Sequence, residues 1–222
     1  MALIVCSQPK AGTYFLAPLL AELGIPWSRI HVTPTGYIDH SKSTPQEIRA
    51  GGTLELCPLG KTLQKLGQRV AQGHLGPCED LLRHKVVVIV RNGRSRLRSR
   101  IQMAGVGAFR FLESPSADLF VQQSKAVAEW WTSDHPVARF KFEDMLPAMT
   151  LHVLDDLAMI TGRSLKDVMA AYHNVVGKDY GTLNPDQSHH GVLQPTTELW
   201  YQKHLAELDR FLGYSPEAGR LV

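Results

Sequence analysis

Two stretches of this chain carry residue types suited to holding anions. The first is SQPKAGTYFL, Ser7 to Leu16, where an apolar run gives way to a helical pattern. The first amides of a helix point outward unpaired, and the helix dipole adds positive potential there. Lys10 would add a full charge, Thr13 a hydroxyl donor, and Gly12 room for the backbone to approach an anion. The lysine precedes the glycine, so the spacing is not that of the GxxxxGK[ST] nucleotide loop. The second stretch is RNGRSRLRS, Arg91 to Ser99. An arginine leaving the end of a buried strand can meet an anion through two parallel hydrogen bonds. Ser99, on the helix expected next, could reach the same anion. The neighbouring Arg94, Arg96, Arg98 and Arg100 read as a solvated helix face.

Elements placed around these turns come from periodicity. Residues 2–6 and Lys85–Val90 read as buried strands, the second apolar on both faces as a central parallel strand requires. Ala138, Phe140 and Phe142 alternate on one face of a third strand over 137–142. Helices are expected from Thr13, from the capping box Thr44-Pro45-Gln46-Glu47, over Lys61–Arg69, over 117–132, from Glu143, from Ser164, and around Leu205–Leu212. Glu143 and Asp144 read as first-turn acids favoured by the helix dipole. Few strands among many helices give an α/β fold: three layers, with a central, mostly parallel sheet flanked by helices. Ligands of such sheets bind at the carboxyl ends of the strands, where both anion-holding turns fall.

Composition sets outer bounds. The 222 residues, 44% hydrophobic and 20% charged, suffice for one core, so a single domain over 1–222 is expected. A net charge of +3 suits an anionic ligand but is too small to point to nucleic acid. Cys6, Cys57 and Cys78 lack paired spacing and read as reduced core thiols of a cytoplasmic protein. No run is long enough for a membrane span, and no signal peptide is evident.

Together the two motifs resemble those of the PAPS-dependent sulfotransferases. That family's first loop reads Pro-Lys-Ser-Gly-Thr-Thr-Trp-Leu, against PKAGTYFL here. Its second reads Arg-Asn-Pro with a serine eight residues after the arginine, the interval from Arg91 to Ser99. GHLG at Gly73–Gly76 resembles a His-Leu-Pro segment, KFEDML at 141–146 a Tyr-Glu-Asp segment, and Gly191, Trp200 and FLGY at 211–214 the C-terminal stretch. The resemblance implies a P-loop-like sulfotransferase fold. It implies that Lys10, Ala11, Gly12, Thr13 and Tyr14 hold the 5′-phosphosulfate of PAPS, with Phe15 stacking on the adenine. Arg91 and Ser99 would grip the 3′-phosphate. His190 and Gly191 stand near a third 3′-phosphate contact, where the family has Arg-Lys-Gly and this chain His189-His190-Gly191.

The implied reaction is in-line sulfuryl transfer to a hydroxyl or amine of a small-molecule acceptor, leaving PAP. His74 would be the general base and Lys10 would stabilise the leaving oxygen. Glu55 is a second candidate base. A sulfuryl group carries less charge than a phosphoryl group, so no metal is expected. The segment His31–Leu56 is the least family-like and is expected to be a loop region that selects the acceptor. Ala11 replaces serine, Tyr14 a second threonine and Gly93 proline. A nucleotide-dependent kinase on a related fold, or a non-catalytic adenine-nucleotide-binding protein, are the alternative readings.

Overall fold

Alternate residues of the central strands feed two different cores, which is why their sequences are apolar without a break. The computed structural model describes residues 2–42, 52–146, 148–176 and 193–215. β1 (Leu3–Ser7) leads to α1 (Thr13–Glu22), β2 (Trp27–Thr33), β3 (Gly36–Asp39) and β4 (Leu54–Leu56). Next come α2 (Leu59–Leu66), β5 (Val70–Gly73), α3 (Glu79–Leu82) and β6 (Lys85–Val90). α4 (Gly93–Ala104), α5 (Ala108–Leu112) and α6 (Pro115–Ala128) precede a 3-10 turn at Glu129–Thr132 and β7 (Ala138–Lys141). A second 3-10 turn, Phe142–Asp144, is followed by α7 (Leu151–Thr161), α8 (Leu165–Val175), α9 (Pro195–His204) and α10 (Ala206–Phe211).

The sheet runs β4-β3-β2-β5-β1-β6-β7. β2, β5, β1, β6 and β7 are parallel, and β3 and β4 extend one edge antiparallel to their neighbours. Leu3 and Val5 of β1 join Val87 and Ile89 of β6 in a core closed by α1, α7 and α8. Ile4 and Cys6 join Val86, Val88 and Val90 in the opposite core, under α2, the end of α6 and Trp130. A third cluster packs Leu97 of α4 against Phe111, Phe120 and Tyr201. The α/β class and the mostly parallel sheet expected from the sequence are therefore observed. After β1 the chain turns to one side of the sheet, and after β5 it crosses to the other. That reversal makes the carboxyl end of β1 the place where ligands of such sheets bind.

Several boundaries differ from expectation. The helix expected over Lys61–Arg69 is Leu59–Leu66, because Gly67 turns to φ 62 and the chain enters β5. The helix expected from Glu143 begins only at Leu151, after the 3-10 turn. The helix expected around Leu205–Leu212 is α10, and α9, which precedes it, was not expected. Much of His31–Leu56 is strand rather than loop: β2, β3 and β4 pair side by side. The capping box at Thr44–Glu47 lies outside the described residues. Cys6 is buried as expected, but Cys57 is half-exposed and Cys78 exposed.

One glycine is fixed by close packing at the turn after β1. Gly12 caps α1 at φ 100, and a Cβ there would strike the Phe142 ring. Gly105 also has positive φ, but open space surrounds it. Gly12→Ala should therefore cost about 2 kcal/mol more than Gly105→Ala, since it adds a clash to the backbone strain. Urea denaturation midpoints of the two variants check this, and equal losses would contradict the close packing of Gly12 on Phe142.

Candidate active site

The turn after β1 is held by bonds that leave its outer amides free. Lys10 adopts φ 66, and Ala11 N–H donates to the Gln8 carbonyl at 3.0 Å. The Ser7 and Thr13 hydroxyls bond to each other across the turn. The N–H groups of Gly12, Thr13 and Tyr14 find no acceptor among the described residues. They form the open, positive end of α1.

Arg91 arrives from the adjacent strand end. Its guanidinium lies 4.2 Å over the Phe142 ring, and its Nη1 donates to the Lys10 carbonyl at 3.4 Å. The buried Gln8 side chain ties the two turns together. It accepts from Arg91 N–H at 3.3 Å and donates to the Ser124 carbonyl at 3.1 Å. Sequence reasoning passed over Gln8. A polar residue directly after a buried strand, before the lysine, was the available signal.

His74 follows β5, on the other side of β1. Its Nδ1–H donates to the Ser7 carbonyl at 2.6 Å, so Nε2 carries the lone pair. The next residue is anchored too: Trp130 Nε1–H donates to the Leu75 carbonyl at 2.8 Å. The His74 pKa is lowered to about 4, chiefly by burial; the Ser7 carbonyl opposes the shift, and the cations Arg100, Arg96 and Lys10 add to it. The imidazole is thus neutral near pH 7 and can accept a proton. His31 stands edge-on to it, ring centres 4.8 Å apart.

The arginines after Arg91 do not form the solvated face expected of them. Arg94 is 3% exposed and forks onto Glu198, Nε to Oε2 at 2.9 Å and Nη2 to Oε1 at 2.6 Å. Arg96 is fully buried, donating to the Arg91 carbonyl at 2.9 Å and to Ser124 Oγ at 2.7 Å. Both brace the start of α4, which Asn92 caps by accepting from the Arg94 and Ser95 amides. Asp209 completes the brace, its Oδ2 accepting from Gly93 N–H at 2.8 Å and from Tyr201 OH at 2.8 Å. Proline at 93 would have no N–H to give, and any Cβ there would meet the Asp209 carboxylate at 2.9 Å. The glycine in place of the family's proline is thus matched by an acid on α10. Glu143 likewise joins two segments, accepting from Asn92 N–H at 3.1 Å and Tyr214 OH at 2.8 Å.

Lys10, Arg91 and Arg100 are treated differently. Among the described residues none lies in an ion pair, whereas Arg94 does. Burial lowers the pKa of Lys10, and Arg100 and Arg91 lower it further. Burial lowers that of Arg91 as well. Ser99 lies half-buried on α4, one turn from Ser95, with no hydroxyl partner among the described residues.

Three expectations change. Phe15 is 1% exposed, inside the core and edge-on to Tyr172, so no ring face is left for an adenine. Ala11 has a buried methyl and an amide already spent on Gln8, so it shapes the turn rather than donating from it. Glu55 lies on the exposed edge strand β4, bonded to Tyr37 OH, with β3, β2 and β5 between it and β1. Tyr14 turns its ring edge to Trp27, at 5.8 Å, leaving its amide to the turn. His189, His190 and Gly191 lie outside the described residues. Among the described residues there is no group of three His, Cys, Asp or Glu side chains able to hold a metal, and no helix long and apolar enough to cross a membrane.

No protein-family model matches the chain, and no curated protein does. Solved structures do. One is retinol dehydratase in complex with androsterone and the inactive cofactor PAP, 17% identical, with a TM-score of 0.49. The match covers 78% of this chain and 64% of that one. The two sequence motifs that resemble those of the PAPS-dependent sulfotransferases stand at the ends of β1 and β6. The chain's α/β layers and mostly parallel sheet are the architecture that resemblance implies.

The charge arrangement predicts an acid-shifted histidine. In NMR the His74 ring should titrate near pH 4 in the free protein. Its midpoint should rise when an anion is bound beside Lys10, because the anion opposes the cations that favour the neutral ring. The sign for folding follows: stability tied to the neutral ring is full above pH 6.5 and is lost as pH falls through about 4. A midpoint near 6.5 in the free protein would contradict the enclosure of His74.

Proposed function

We propose that this protein is a sulfotransferase that moves a sulfuryl group from PAPS to a hydroxyl or amine of a small molecule. The observation that carries the reading is the joint placement of three groups at neighbouring strand ends. Lys10 and the free α1 amides follow β1, Arg91 follows β6, and a neutral His74 follows β5. Enclosed cations with no ion pair among the described residues suit a ligand with anionic groups at both ends, which the two phosphates of PAPS provide.

When bound, PAPS supplies the sulfuryl group to be transferred. The Gly12, Thr13 and Tyr14 amides and Lys10 hold its 5′ end, and Arg91 with Ser99 holds the 3′-phosphate. His74 Nε2 takes the acceptor proton as the acceptor oxygen bonds to sulfur and the bond from sulfur to the bridging oxygen breaks. Lys10 meets the charge left on the departing 5′-phosphate, so protons and charge balance with PAP as product. Three free cysteines suit a reducing, cytoplasmic setting.

Incubation with PAPS and a panel of phenols, sterols, alcohols and amines tests the reading. PAP release should accompany a sulfated product detected by mass spectrometry. His74→Ala and Lys10→Ala should each slow transfer by about a hundredfold or more. Transfer to no acceptor, with PAPS left intact, would remove the sulfotransferase reading. Full activity in His74→Ala would remove His74 as the base.

A further inference from the structure

Arg100 lies outside both motifs, yet its head group converges on the same atom as Lys10. Lys10 Nζ lies 3.8 Å from Met103 Sδ, and Arg100 Nη1 lies 4.0 Å from that sulfur. A thioether is a weak acceptor. Two half-enclosed cations directed at one such atom, with no carboxylate in ion-pair reach among the described residues, leave their strong acceptor to come from a ligand.

Helix geometry explains the convergence. Arg96, Arg100 and Met103 share one face of α4, at spacings of four and three residues. Arg96 spends its guanidinium on the Arg91 carbonyl and Ser124. Arg100, one turn further on, reaches past it toward the turn after β1, its guanidinium carbon 6.0 Å from the centre of the Phe111 ring. Of the charges acting on Lys10 and on His74, that of Arg100 is the strongest on each. It therefore stands near both the cation for the leaving oxygen and the base for the acceptor. In a sulfotransferase the group between those two is the sulfuryl group itself.

We propose that Arg100 is a further catalytic residue whose guanidinium contacts the oxygens of the sulfuryl group in transfer, at the place marked by the Met103 sulfur. The assignment rests on the sulfotransferase reading. A planar fork of N–H donors suits two oxygens on one tetrahedral centre and strengthens as their charge changes in an in-line displacement. Arg100 makes no contact with the nucleotide phosphates in this assignment. It discriminates PAPS from PAP, which lacks the sulfuryl group.

Calorimetric affinities for PAPS and PAP, without acceptor, test this on Arg100→Gln and Arg100→Lys, with folding checked by circular dichroism. Arg100→Gln should weaken PAPS by about tenfold or more and PAP by less than about twofold, with a matching fall in kcat. Arg100→Lys keeps the charge but loses the fork, and should recover part of both losses; it also serves if the glutamine variant does not fold. Equal loss for both ligands would make Arg100 a nucleotide-phosphate ligand and overturn the assignment, as would unchanged affinity for both. Wild-type protein that binds neither ligand would instead overturn the sulfotransferase reading.

Discussion

Lys10, Arg91 and Arg100 stand at one end of this sheet with no ion pair among the described residues. Like charges separated by several ångströms in an enclosed site repel by about 2–4 kcal/mol. Elsewhere the chain avoids that cost: Arg94 forks onto Glu198. At Lys10, Arg91 and Arg100 it accepts the cost, and packing holds the groups in place. An anion arriving there converts repulsion into attraction. The lowered pKa of Lys10 and the neutral His74 both follow from the same enclosure.

What holds the cations together is largely backbone geometry braced by buried polar side chains. Gln8 bridges the turns after β1 and β6. Phe142, in the 3-10 turn after β7, lies against both Gly12 and Arg91 and so supports the two turns. Arg96, Asp209 and Glu143 fix the first turn of α4 from three directions. These residues act through Arg91 and the helix behind it. The same brace explains why glycine serves at position 93, where the amide must reach Asp209.

The parts legible in the sequence were those with strong local signals. β1 and β6 declare themselves because both faces are buried, and α8 because Ser164 and Asp167 form a capping box. The two turns are legible because lysine, glycine and arginine stand where apolar runs that read as strands end. β5 was missed: VAQG is four residues long and ends in glycine, and its place between β2 and β1 comes from pairing rather than pattern. Without β5, the position of His74 beside Ser7 could rest only on resemblance. The burial of Arg94 and Arg96 was equally hidden, because their partners lie far along the chain on α9 and α6. Phe15 was misread because its motif position was taken without its core neighbours, and only the packing on Tyr172 shows which way the ring faces.

The central claim is a clamp with two ends, one on the 5′ side and one on the 3′-phosphate. Paired calorimetric titrations with 3′,5′-ADP and 5′-AMP address it most directly, since the ligands differ only at the 3′ end. The account predicts that 3′,5′-ADP binds at least about tenfold tighter, and that Arg91→Ala removes most of the difference. Equal affinity for the two nucleotides in the wild-type protein would contradict it.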